Sequence, residues 1–191
     1  MKTMARRTEE VFMQQLTELL ITEGISKLTI ADIAARLKCS RRRIYQIAPA
    51  KEELFLHICR EVFNSKLEQG FAKANKESEP VRIIKAYLTA TLNTSGISKA
   101  CLIDLEATEQ GRKLFDDYQL ARVRGLEGII EEGIKQQVFS PQNPRLVSEA
   151  ILGAAHRLRN PVFLEETGMR IGDAFDQFYR LVLEGLLKRN D

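Results

Sequence analysis

The chain has 191 residues, enough for one large or two small domains and for a sizeable buried core. Its 44% hydrophobic and 29% charged residues, with only five prolines and eleven glycines, describe a soluble globular protein and exclude a low-complexity or collagenous chain. Net charge is +3, and residues 1–55 hold ten Lys/Arg against seven Asp/Glu while the remainder holds nineteen of each, so the whole excess lies in the first third.

In chain order, Phe12, Leu16, Leu19 and Leu20 fall at helical spacing and predict an amphipathic helix over roughly 6–23, stopped by Gly24. Thr29 starts a second helix as a capping hydroxyl, with Asp32 three residues on completing a box-like pair. Ile30, Ile33, Ala34 and Leu37 form its buried side. Lys38 and Cys39 make a short turn, and Ser40 caps a third helix whose apolar side is Ile44, Ile47 and Ala48. Lys51 opens a long fourth helix, through Leu54, Phe55, Ile58, Val62 and Phe63, to about Lys76. Further helices are expected at about 79–93, 99–109, 112–138, 144–159 and 171–188, with Pro80 and Pro144 in first turns. Asn93 to Ser98, Ser140 to Asn143 and Asn160 to Arg170 read as loops. No strand alternation or internal repeat is evident, so the expected class is all-α.

Two short helices joined by a tight turn and preceded by a longer one form a helix-turn-helix pattern. From Arg36 to Lys51 there are six cations and no carboxylate, which points to a polyanion partner. With Ile44, Ile47 and Ala48 inward, Arg42 and Gln46 lie on nearly the opposite side at about 100° per residue, flanked by Tyr45 and Arg43, with Arg41 at the amino-terminal tip. A recognition helix enters the major groove with that end leading. Arg41, Arg42, Tyr45 and Gln46 are therefore the expected base-edge contacts, since Arg forks onto guanine and Gln onto adenine. Arg43 is expected at a phosphate, and Thr29, Ser40, Tyr45 and Lys51 at the backbone, Thr29 and Lys51 because they lie at helix starts. The alternative for the arginine run is an ordinary solvated face.

The stretch from Leu28 to Phe55, LTIADIAARLKCSRRRIYQIAPAKEELF, with Gly24 before it, resembles the TetR-family signature. The likeness rests on the T-x-x-D-I-A core, Ser40 at the turn, Tyr45, and the KEEL that opens the next helix. It implies an all-α fold with a helix-turn-helix head (1–50) and a larger ligand-binding and dimerising body (51–191), acting as a repressor released from a palindromic operator by a small molecule. One departure is visible. The family's Tyr is usually followed by any residue, then often His or Tyr, then Phe; here these positions are Gln46, Ile47 and Ala48. Unless Ile47 fills that volume, the loss costs on the order of 1–3 kcal/mol in core packing.

In the body, His57, Tyr87, Thr91, Cys101, Phe115 and Tyr118 suit an apolar pocket with a few orienting groups, although core packing explains each singly. The last helix is apolar over a wide arc, Ile171, Phe175, Phe178, Val182 and Leu186 with Tyr179, Leu183 and Leu187 beside them. The preceding helix offers Ala150, Ile151, Gly153, Ala154, Ala155 and Leu158. From the residues alone these two helices could simply pair within one chain; the resemblance makes them, from each of two subunits, a four-helix homodimer interface. His156, Arg157 and Arg159 are expected at its edge, the alternative being an anion site.

Other chemistry is weakly signalled. The chain has two histidines, His57 and His156, and no metal-ligand spacing, so neither metal nor cofactor is expected. Cys39, Cys59 and Cys101 form no disulfide framework, which suits a reducing cytoplasm; Cys101 has no resolving partner nearby in sequence. No apolar run of about 18 residues predicts a membrane span, and the opening MKTMARRTEE is too polar for a secretory signal. No phosphate loop or nucleophile–base pattern suggests an enzyme. Two other readings stay open: an architectural DNA-binding protein needing no ligand, and a helical small-molecule binder whose head has lost DNA binding.

Overall fold

The computed structural model describes residues 2–92, 97–158 and 161–186. Every element among them is an α-helix: α1 (Lys2–Glu23), α2 (Ile30–Arg36), α3 (Arg41–Tyr45), α4 (Lys51–Ala74), α5 (Pro80–Leu92), α6 (Lys99–Glu106), α7 (Glu109–Lys135), α8 (Pro144–Leu158), α9 (Pro161–Thr167) and α10 (Ile171–Leu186). Residues 1–65 with 94–118 form one compact unit, and 66–93 with 119–191 a second.

In the first unit, Phe12, Leu16 and Leu20 lie one turn apart on α1 and are buried, as are Ile33 of α2, Ile44 of α3 and Leu54 and Ile58 of α4. The short helices owe their ends to side chains. Thr29 and Asp32 make a full capping box on α2. Ser40 Oγ accepts from the Arg43 amide at 3.3 Å to start α3. Between them Lys38 takes the left-handed conformation, φ 50°, that turns the chain. Ser98 caps α6 through the Cys101 amide, and its own amide donates to Ile21 O at the end of α1.

In the second unit, Tyr87 and Leu88 of α5, Leu126 and Ile130 of α7 and Ile151 of α8 form the core, with Phe175, Phe178 and Val182 of α10 packed on it. The Tyr87 hydroxyl donates to Arg122 O at 3.0 Å. Gly125 makes room for it, since a Cβ there would lie 2.1 Å from that hydroxyl.

Three boundaries differ from the sequence reading. Residues 161–167 are helix, where a loop was expected. Pro161 fits a first helical position and Gly168, φ 64°, ends the element, but seven residues are too few to display an apolar stripe. α7 begins at Glu109, because the Thr108 hydroxyl accepts from the Gly111 amide, and it stops at Lys135, followed by Gln137 at φ 60°. Residues 93, 159, 187 and 188 of the expected helices, and parts of the loops at 93–98 and 160–170, lie outside the described residues.

Candidate nucleic-acid interface and ligand cavity

α3 turns its apolar side inward: Ile44 and Ala48 are buried and Ile47 is half-buried. Arg41, Arg42, Tyr45 and Gln46 are exposed, and neither Arg41 nor Arg42 forms an ion pair among the described residues. Tyr45 leaves half its surface open. Gln46 keeps right-handed helical geometry at the C-cap, its amide bonded to Arg42 O, so it stays in register with α3. The four residues expected at base edges thus share one exposed surface on a capped helix.

The residues expected at phosphates are more engaged. Arg43 lies 3.9 Å over the Phe12 ring and pairs with Glu9 at 2.6 Å, bracing α3 against α1. A phosphate at Arg43 would have to compete with Glu9. The Thr29 amide and hydroxyl both donate to the Asp32 carboxylate, at 2.9 and 2.6 Å. These two bonds, side chain first, hold Asp32 below the usual carboxylate range. The carboxylate therefore already occupies the start of α2. Ser40 is exposed and its hydroxyl is used in capping. Lys51 Nζ donates to Leu28 O at 3.1 Å and Ile25 O at 3.5 Å, and also lies 3.9 Å from Glu52.

Lys51 shares the turn between α1 and α2 with a residue that the sequence reading missed. Asp104 of α6 is buried and accepts from the Ile25 amide at 2.5 Å and the Ser26 amide at 2.9 Å. Burial pushes its carboxyl up, but hydrogen bonds from Ser26 and Ile25 and the nearby Lys51 charge outweigh it, and the net shift is downward. Gly24, φ 75°, passes so close that a Cβ would lie 2.3 Å from the Asp104 carboxylate. The only sequence signal was a carboxylate inside the otherwise apolar run ACLIDL.

The six residues expected at a ligand divide between the two units. In the first, Cys101 and Tyr118 are buried and His57 and Phe115 half-buried. Tyr118 stacks on Phe63 at 4.4 Å, and Phe115 tilts against the same ring at 6.0 Å. Cys59 lies on α4 with its sulfur 3.9 Å from that of Cys101 on α6, a neighbour that sequence distance concealed. The hydrogen bond between them, with burial, pushes the Cys59 thiol up, and the same bond lowers Cys101. In the second unit, Tyr87 and Thr91 are fully buried, Thr91 Oγ1 donating to Tyr87 O at 2.9 Å.

A cavity of about 630 Å³ lies in the second unit, among the end of α4, the start of α5, α7 and the turn after it. None of the six residues lines it. Its walls carry Phe71, Ile83, Ile129 and Phe139, with Glu77 and Glu132 among the polar groups. No cluster of three potential metal ligands occurs among the described residues.

On the face expected to dimerise, Ile151 is consumed by the core of its own unit, and Ala154, Leu158, Phe175, Phe178 and Val182 are half-buried. The side chains of Ala155, His156, Arg159, Ile171, Tyr179, Leu183, Leu186 and Leu187 lie outside the described residues. Among the described residues, Leu146, Val162 and Leu181 are the strongly exposed apolar side chains on α8, α9 and α10.

Residues 13–58 match the family model for bacterial regulatory proteins of the tetR family. The amino-terminal head is a TetR-family domain. The TetR assignment covers α2, α3 and the parts of α1 and α4 that carry the turn held by Asp104 and Lys51. No curated protein matches the chain.

The whole chain also has the fold of solved transcriptional regulators. A proposed transcriptional regulator from Saccharomonospora viridis, in complex with choline, superposes with TM-score 0.72 at 18% identity over 98% of this chain and 100% of that one. FadR from Bacillus subtilis, in complex with stearoyl-CoA, gives 0.68 at 14% identity, over 91% and 97%. AibR, in complex with isovaleryl coenzyme A and operator DNA, gives 0.53 at 22% identity, over 76% and 82%. The chain has a TetR-type transcriptional regulator fold. Within its TetR-family head, Ala48 takes the buried position where the family pattern has Phe. No described helix is long and apolar enough to cross a membrane.

Proposed function

We propose that this chain is a cytoplasmic, sequence-specific transcriptional repressor that binds a palindromic operator as a homodimer and is released by a small-molecule ligand. The observation that carries the reading is the exposed row Arg41, Arg42, Tyr45 and Gln46 on a helix capped by Ser40 and braced from behind by Arg43. Arg41 and Arg42 read guanine edges, Gln46 an adenine edge, and Tyr45 packs against sugar and phosphate. Lys51 and Thr29 contribute near the backbone, Lys51 by its charge as well as by holding the turn.

The head covers residues 1–50 and the body 51–191. Dimerisation uses α8 and α10, with half-buried Ala154 as a close-approach position, half-buried Leu158 on the same helix, and exposed Leu181 on α10. It sets two heads about 34–36 Å apart, one helical turn of DNA. The ligand-bound structures sharing the fold, and the one holding operator DNA as well, support a body that receives an organic molecule and a head that receives duplex DNA. Ligand binding favours a head spacing that misses successive major grooves, and α4 carries the displacement because Lys51 at its start holds the turn between α1 and α2. The chain is assigned no catalytic role.

The test is selection of bound sequences from a random duplex library, with the winner retested over a salt series. A palindromic winner bound at least about a thousandfold more tightly than random DNA supports the reading. Weak, salt-sensitive binding with no enrichment favours an architectural protein instead.

A further inference from the structure

The cavity of the second unit has a composition that selects among ligands. Its volume, about 630 Å³, lies within the range that encloses a small organic molecule. Phe71 and Phe139 supply aromatic surface to it. Glu77 and Glu132 supply two carboxylates, and Arg124 the one guanidinium. None of these three charged groups forms an ion pair among the described residues; Glu132 accepts only a hydrogen bond from Gln136, at 2.8 Å.

An anion entering this cavity meets an excess of negative charge. A neutral guest gains nothing from that charge. A cation gains from the carboxylates, and the aromatic surface of Phe71 and Phe139 can add to that attraction. We propose that this cavity binds an organic cation with an apolar body, such as an aryl- or alkylammonium. This deepens the function proposed above by naming the ligand class, and it rests on the body being the ligand-receiving part.

Gly128 makes the cavity testable without damaging the fold. It sits in the middle of α7 on the cavity wall, and a Cβ there meets nothing within 4 Å. A larger side chain at this point extends into open space, and replacing a mid-helix glycine favours the helix.

The experiment is calorimetric titration of the full chain, without DNA, using benzyltrimethylammonium, benzyl alcohol and benzoate. Saturable binding is expected for the ammonium alone. Glu77→Gln and Glu132→Gln should each weaken it roughly tenfold. Gly128→Leu should abolish it while leaving the unfolding temperature equal or higher. Absence of saturable ammonium binding at millimolar concentrations, equal binding of benzoate, or ammonium binding unaffected by Gly128→Leu overturns the proposal. Because no DNA is present, failure here leaves the DNA-binding reading untouched, and failure to select an operator leaves this titration interpretable.

Discussion

The carboxylate of Asp104 sits 2.5 Å from the Ile25 amide and 2.9 Å from the Ser26 amide, so a residue of α6 holds the turn from which α2 and α3 are presented. Lys51 grips the carbonyls of the same turn from α4. Seventy-nine residues separate Asp104 from Ile25 in sequence. The turn that leads into α2 and α3 is therefore held in part by Asp104, a residue outside the family signature.

Asp104→Asn should destabilise the protein at neutral pH by about 1–3 kcal/mol, the range for weakening a buried hydrogen-bonded group. The folded-state pKa of Asp104 is lowered, so its contribution is complete above the unfolded value, near 3.8, and is lost as pH falls through the lower folded value. Urea unfolding of wild type and variant should show a gap that is constant from pH 7 to 5 and narrows below about pH 4.

Gly24→Ala and Gly128→Ala should move stability in opposite directions. Gly24 needs φ 75° and has Asp104 where a Cβ would go, so alanine there should cost more than about 1 kcal/mol. At Gly128 the backbone is helical and the space open, so alanine should add about 0.5–1 kcal/mol. Thermal unfolding of the two variants side by side checks this.

The contrast marks what the sequence could and could not reveal. The three-helix head, its caps at Thr29 and Ser40 and the outward row on α3 were legible because caps and helical periodicity are local signals. Asp104 and the Cys59–Cys101 neighbours were not, because α6 meets the turn after α1 and the helix α4 only in the folded chain. Helix α9 was hidden by its length. The cavity escaped because the sequence reading gathered residues by chemical type, and such residues (Tyr87 and Tyr118 among them) turned out to be packed in cores, whereas the wall draws on the plain residues Gly128, Ser78 and Gln136.

Lys51→Met should lower DNA affinity for selected and random duplexes alike and should flatten the salt dependence by about one counterion. Because Nζ also holds Leu28 O and Ile25 O, the same variant should unfold at lower temperature. Binding isotherms over a salt series, together with melting curves, separate the two contributions.

Leu181→Glu should yield a monomer. Leu181 leaves 70% of its surface open on α10, so a charge there has no cost within one subunit but must be desolvated in a dimer. Light scattering should report half the mass of the wild type, with an unchanged helical circular-dichroism spectrum and weakened binding to a palindrome.

The central claim is that α3 reads sequence, and the direct measurement is the affinity of Arg42→Ala for the selected duplex and for a scrambled one at the same salt concentration. Arg42 is exposed on α3 and lies opposite the buried Ile44 and Ala48. The account predicts a loss of about 1–3 kcal/mol on the selected duplex, relaxed preference at one position of each half-site, and a much smaller loss on the scrambled duplex. Equal losses on both would make Arg42 a phosphate contact and would contradict the assignment of α3 as the reading helix.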